Sequence, residues 1–196
     1  MRIKDKRFVP YIGGAELEGI VARLADEVSR DYAEGDLVLC PVLTGAYMFA
    51  TDLARALTIP ARMHFVRYSS YSGMQSTGTV NCSLPFSDDI KGCDVLVVED
   101  VVDSGLSMER VLEEARKRGP RSVKLCTLLF KPGCFKGHYR VDYIGREIGD
   151  EFIVGYGMDY DEEGRTLGEI YVVESGERRT ESGERRVGET KKRERY

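Results

Sequence analysis

The chain of 196 residues predicts an α/β domain whose centre is a mostly parallel sheet flanked by helices. Three features carry that prediction. Helical and strand-like patterns alternate along most of the chain. The run Val95-Leu96-Val97-Val98 has no polar interruption, as expected of a parallel strand covered on both faces. Glycine or proline stops follow the helical patterns, at Gly35, Pro60 and Gly119-Pro120.

Each element follows in order. Leu17, Ile20, Val21, Leu24, Ala25 and Val28 recur at helical spacing and make one apolar stripe, with Gly35 beyond as a stop. Leu37-Val38-Leu39-Cys40 is a short strand run, residues 46–57 read as a helix with Pro60 after it, and residues 62–68 read as a strand. Residues 69–79 are rich in Ser, Gly and Thr and read as a loop. After the strand at 95–98 a helix is expected over 107–118, stopped by Gly119-Pro120, and then a strand over 123–130. Shorter strands are expected near 141–144, 152–154 and 170–173. Strands alternating with helices imply right-handed crossovers, and such sheets bind ligands at the carboxyl ends of their strands.

Composition narrows the class. The apolar share of 42% and charged share of 32% fit a soluble globular domain. No apolar run approaches the ~18 residues of a membrane span, and the N-terminus lacks the apolar core of a secretion signal. The five cysteines, at 40, 82, 93, 126 and 134, form no CxxC pair and are odd in number, so they read as reduced thiols of a cytoplasmic protein. Residues 175–196 repeat the string SGERR and hold almost no apolar side chains, so this segment is expected to be a disordered tail after a domain at 1–174. The tail takes eight of the 29 basic residues and five of the 33 acidic ones, leaving the domain with 21 against 28. A net charge of −7 on the domain argues against a broad nucleic-acid-binding face.

The chemistry concentrates in residues 95–107. The apolar strand runs into Glu99 and Asp100, a third acid follows at Asp103, and Ser104-Gly105-Leu106-Ser107 leads into a helix. The turn and the helix start offer backbone N–H groups and hydroxyls to a phosphate, and Gly105 lets the backbone come close. The string is not a P-loop, because GxxxxGK[ST] is absent. Three carboxylates would repel a bare polyphosphate, but they suit sugar hydroxyls and hydrated Mg²⁺. One acid at a helix start is commonly a dipole or capping feature. Three within five residues crowd like charges and call for a cation.

This string resembles the phosphoribosyl pyrophosphate signature of the type I phosphoribosyltransferases, and the similarity to their hypoxanthine-guanine branch runs over most of residues 8–174. The resemblance implies the fold of that family, with a small hood over the main sheet. It implies that Glu99 and Asp100 hold the ribose hydroxyls and Mg²⁺, that Asp103 sits near purine N7 and transfers its proton, and that Asp103, Ser104, Gly105, Leu106 and Ser107 cradle the 5′-phosphate. The family usually has Thr at the two Ser positions. Leu43-Thr44-Gly45 resembles the pyrophosphate loop, in which the first peptide bond is often cis; many relatives have Lys where Thr44 stands. Ser70-Tyr71 resembles the family's mobile lid. Lys131 matches the lysine that donates to the 6-oxo group, which favours hypoxanthine or guanine over adenine. In the stretch from Phe152 on, the match implies that Phe152 stacks on the purine, the Ile153 backbone meets the ring edge, Asp159 reaches Mg²⁺, and Arg165 neutralises pyrophosphate.

The expected function is therefore Mg²⁺-dependent purine salvage from phosphoribosyl pyrophosphate and a 6-oxopurine, by a homodimer or homotetramer. Xanthine stays open as a base. A regulatory protein of the same fold that only senses the sugar diphosphate is the alternative, because fold alone does not settle function. A dinucleotide-dependent oxidoreductase is excluded by the lack of GxGxxG after a strand.

Overall fold

The computed structural model describes residues 1–70 and 80–174. Tyr71, the rest of the expected lid and the expected tail lie outside the described residues. In chain order the elements are β1 (Arg2–Ile3), β2 (Lys6–Ile12), α1 (Gly14–Asp31), β3 (Leu37–Pro41), α2 (Tyr47–Ala56), β4 (Ala61–Met63), β5 (Arg67–Ser70), β6 (Val80–Leu84), β7 (Asp94–Val102), α3 (Leu106–Lys117), β8 (Ser122–Phe130), β9 (Tyr143–Glu147), β10 (Ile153–Val154) and β11 (Ile170–Val173).

The main sheet has the order β4-β3-β7-β8-β9, and every pairing in it is parallel. Its strands alternate between two cores. Leu37, Leu39, Leu96, Val98, Cys126 and Leu128 pack with Leu24, Val28, Phe49 and Leu53 of α1 and α2. Val38, Cys40, Val95, Val97 and Leu125 point the other way, onto Met108, Val111, Leu112 and Ala115 of α3. Burial on both faces is why β3 and β7 read as unbroken apolar runs. The five cysteines are free, and Cys40, Cys93 and Cys126 are buried. Among the described residues no helix is long and apolar enough to cross a membrane.

A second, antiparallel sheet, β1-β2-β11-β10, is the hood. Phe8, Ile3 and Val154 form its small core, with Phe152, Tyr160 and Tyr171 packed against them. The strand expected at 62–68 is two strands. β4 runs parallel to β3, and the chain keeps following β3 as far as buried Val66, whose N–H donates to the Pro41 carbonyl at 3.1 Å. It then leaves the edge, and β5 pairs with β6 as an antiparallel ladder. An edge strand has a single neighbour, so a local partner easily takes over its hydrogen bonds.

Candidate active site

Strand register assembles the site at the carboxyl end of the main sheet. β7 and β8 stay paired to Val102 and Phe130, so the next residues, Asp103 and Lys131, leave the sheet side by side. Phe130 is level with Glu147 of β9, and the Ile148 N–H donates to the Phe130 carbonyl at 2.8 Å, which brings the turn carrying Asp150 and Glu151 to the same end. On the other flank Pro41 of β3 is level with Val98, and the loop at 43–45 meets Asp100.

Lys131 is only 7% exposed, and its ammonium lies 3.0 Å from Asp103 Oδ2 and 3.7 Å from Asp150 Oδ1. A buried cation needs such counterions. Cys134 joins the two aspartates in a group whose donor atoms lie within 4.8 Å of one another. Burial and the Asp150 carboxyl raise the Cys134 thiol's pKa, which disfavours the thiolate a metal would take. The lysine already supplies a cation to both carboxylates.

Asp100 is nearly buried, and its Oδ1 accepts the Val101 N–H at 2.7 Å. Burial pushes its carboxyl up to about 6, against the pull of the Val101 N–H and Arg165 and with the help of Asp159. Glu99 is driven well above the usual carboxylate range, first by burial and then by Asp100, and its Oε2 is buried without a hydrogen-bond partner among the described residues. Asp159 Oδ1 lies 2.9 Å from Arg165 Nη2, while Asp159 Oδ2 accepts the Glu162 N–H. Arg165 Nη1 donates to the Gly157 carbonyl at 3.0 Å, and its Nε is buried without a hydrogen-bond partner among the described residues. The turn at Gly157 rests on the opposite loop: a Cβ there would lie 2.0 Å from the Gly45 carbonyl oxygen. The Leu43-Thr44 peptide bond in that loop is cis.

The bend at 104–107 begins α3, whose first N–H groups receive no side-chain cap among the described residues, and Leu106 and Ser107 there are exposed. Gly105 adopts φ 75°, in the left-handed region. Residues 135–139 brace it from below. Tyr139 OH donates to the Gly105 carbonyl at 3.0 Å and the Lys136 N–H to the Ser104 carbonyl at 2.9 Å.

A cleft of about 920 Å³ lies between the main sheet and the hood. Six of the residues singled out from sequence line it: Asp100, Asp103, Lys131, Phe152, Ile153 and Asp159. The Phe152 ring is held edge-on to Tyr160, with centroids 5.4 Å apart, and lies 6.1 Å from Phe8. Glu99, Leu43, Thr44, Gly45, Ser104, Gly105, Leu106, Ser107 and Arg165 are not in its wall, and Ser70 ends β5. Sequence reading missed Val9, Tyr11 and Val172 of the hood and the acids Asp150 and Glu151, all in the wall. The hood residues carry no chemical signal, and Asp150 comes to the site through the β8–β9 register, which no local pattern reveals.

The phosphoribosyl transferase domain family matches residues 14–161 of this chain. The chain belongs to the phosphoribosyltransferases. It is 42% identical over 162 residues to a hypoxanthine-guanine phosphoribosyltransferase of Mycobacterium tuberculosis, covering 79% of this chain and 80% of that one. A hypoxanthine phosphoribosyltransferase of Escherichia coli is 40% identical over 156 residues, covering 78% and 88%. The crystal structure of a hypoxanthine-guanine phosphoribosyltransferase from Bacillus anthracis superposes with a TM-score of 0.80 at 34% identity, over 87% of this chain and 99% of that one. The solved Bacillus anthracis enzyme therefore shares the fold of this chain, a parallel five-stranded core with flanking helices.

Proposed function

We propose that the protein transfers the 5-phosphoribosyl group from phosphoribosyl pyrophosphate to hypoxanthine or guanine in purine salvage, as a Mg²⁺-dependent cytoplasmic enzyme. The observation that carries the reading is the adjacent pair Asp103 and Lys131, facing one cleft with Phe152. Lys131 is a donor for a 6-oxo acceptor, and Asp103 is an acceptor for the N7 proton. Phe152 offers an aromatic face for the purine, and the Ile153 backbone lies beside it. A protein that only senses the sugar diphosphate has no need of a buried lysine and an aromatic platform.

The uncapped start of α3 and the hydroxyls of Ser104 and Ser107 suit the 5′-phosphate. Leu43, Thr44, Gly45 and Arg165 suit the pyrophosphate, with Thr44 contributing main chain where many relatives have lysine. The acids fit a divalent cation: Glu99 has an orphaned buried oxygen, and Glu99 and Asp100 are both held above the usual carboxylate range. Glu99, Asp100 and Asp159 would hold Mg²⁺, which when bound neutralises charge on the pyrophosphate leaving group. Purine N9 attacks the anomeric carbon, the bond from that carbon to pyrophosphate oxygen breaks, and the N7 proton passes to the Asp103 carboxylate. The acids near the sugar favour the positive charge it develops.

The test is purified protein with Mg²⁺, phosphoribosyl pyrophosphate and, separately, hypoxanthine, guanine, xanthine, adenine and uracil. Nucleotide and pyrophosphate should form with hypoxanthine and guanine and not with adenine or uracil. No nucleotide from either of the first two would overturn the reading.

A further inference from the structure

Lys131 is shared between two carboxylates, and only one of them has a place in the chemistry proposed above. Its ammonium is 3.0 Å from Asp103 and 3.7 Å from Asp150. In this arrangement Asp103 Oδ2 is already engaged by the ammonium instead of being open to a base. Lys131 therefore has to loosen its hold on Asp103 as it turns to a 6-oxo group. A lysine that is 7% exposed cannot simply release its counterion to water, because an unpaired buried ammonium is costly. The second carboxylate answers this need. Asp150 is largely exposed, with its side chain 66% accessible, so it follows the ammonium without being buried itself. It stands on the turn after β9, three residues beyond Glu147, and lines the same cleft.

We propose that Asp150 is a positioning residue that takes over the charge of Lys131 when base binding draws the lysine off Asp103, so that the entry of a 6-oxopurine itself frees the proton acceptor. The inference rests on the function proposed above and adds to it a residue and an order of events. Base enters, Lys131 turns from Asp103 to the 6-oxo oxygen with Asp150 as its remaining counterion, and Asp103 then receives the N7 proton. No proton moves to or from Asp150 or Lys131.

Asp150→Asn keeps the shape and removes the charge. It should lower kcat with hypoxanthine about tenfold, less than the ~10²- to 10⁴-fold expected when the proton acceptor itself is lost, while the KM for phosphoribosyl pyrophosphate stays within about twofold, because Asp150 acts through the lysine. Asp150→Glu should recover most of the lost turnover. In a Lys131→Met background Asp150→Asn should produce no further loss, since its partner is gone. Thermal melting of each variant checks folding. Wild-type protein that makes no nucleotide from hypoxanthine or guanine defeats the function proposed above. Active wild type with an Asp150→Asn variant of equal kcat, or with losses that simply multiply in the double variant, overturns the role of Asp150 alone.

Discussion

Gly45 has no room for a side chain, because a Cβ would lie 1.9 Å from Asp100 Oδ2. The contact confines the Asp100 carboxylate, and burial holds its pKa at about 6. An acid raised on folding favours the folded state at low pH, and that advantage disappears as the pH climbs through the folded value. Asp100 therefore costs stability between about pH 4 and pH 6, on the order of 3 kcal/mol for a shift of this size. Asp100→Asn removes the ionisation, so its stability relative to wild type should rise over that interval in Mg²⁺-free buffer. Urea denaturation at stepped pH measures it, and a difference independent of pH would refute the assignment. At Asp103 the expectation concerns rate. Asp103→Asn should lower kcat by about 10²- to 10⁴-fold and leave calorimetric binding of phosphoribosyl pyrophosphate far less affected. Equal losses in both would take the proton transfer away from this residue.

Between β7 and α3 the chain turns within three residues, and the strap at 135–139 makes that possible. Phe135 and Tyr139 meet edge to face with centroids 5.2 Å apart, and they close over Gly105. A Cβ on Gly105 would meet Phe135 Cε2 at 2.5 Å and Tyr139 Oη at 2.6 Å, at a positive φ that other residues adopt with strain. Gly105→Ala should thus destabilise the domain by about 1–3 kcal/mol and raise the KM for phosphoribosyl pyrophosphate, since it moves the start of α3. Tyr139→Phe keeps the ring and loses one hydrogen bond to the Gly105 carbonyl, so it should cost about 1 kcal/mol. Melting curves and initial rates on the two variants distinguish them. A Gly105→Ala protein indistinguishable from wild type would mean that the bend does not depend on this packing.

The molecule as a whole is organised by its two cores, one on each face of the main sheet, and by a hood that contributes a separate small cluster. The buried residues of these clusters, among those described, run from Ile3 to Ile170. A protein ending at residue 174 should fold, melt within a few degrees of the full chain, and keep its turnover, because a segment with almost no apolar side chains has little to bury. Loss of cooperative melting in the shortened protein would place part of the fold in the segment 175–196. Self-association to a dimer or tetramer is expected on family grounds, and sedimentation of the full chain and the shortened one reads it directly.

Sequence by itself determined the elements whose burial is uniform. Leu37 to Cys40 and Val95 to Val98 are apolar because both faces of their strands are covered, and the stripe from Leu17 to Val28 is apolar along one side because only that side meets the sheet. It also marked the acids and the Ser-Gly bend, since local chemistry at a strand end shows in the residues themselves. Tertiary structure alone decided what stands beside what. The register of β7, β8 and β9 set Lys131 between Asp103 and Asp150, and the packing of Gly157 on Gly45 brought the turn with Asp159 and Arg165 to the strand carrying Asp100. Strands β1 and β2, too short or too mixed in pattern to announce themselves, became the hood only because β2 pairs with β11, more than 150 residues away in the chain. The physical reason is the same in each case. A hydrophobic period reports how a residue is buried, whereas a contact between distant segments depends on alignments that no single segment encodes.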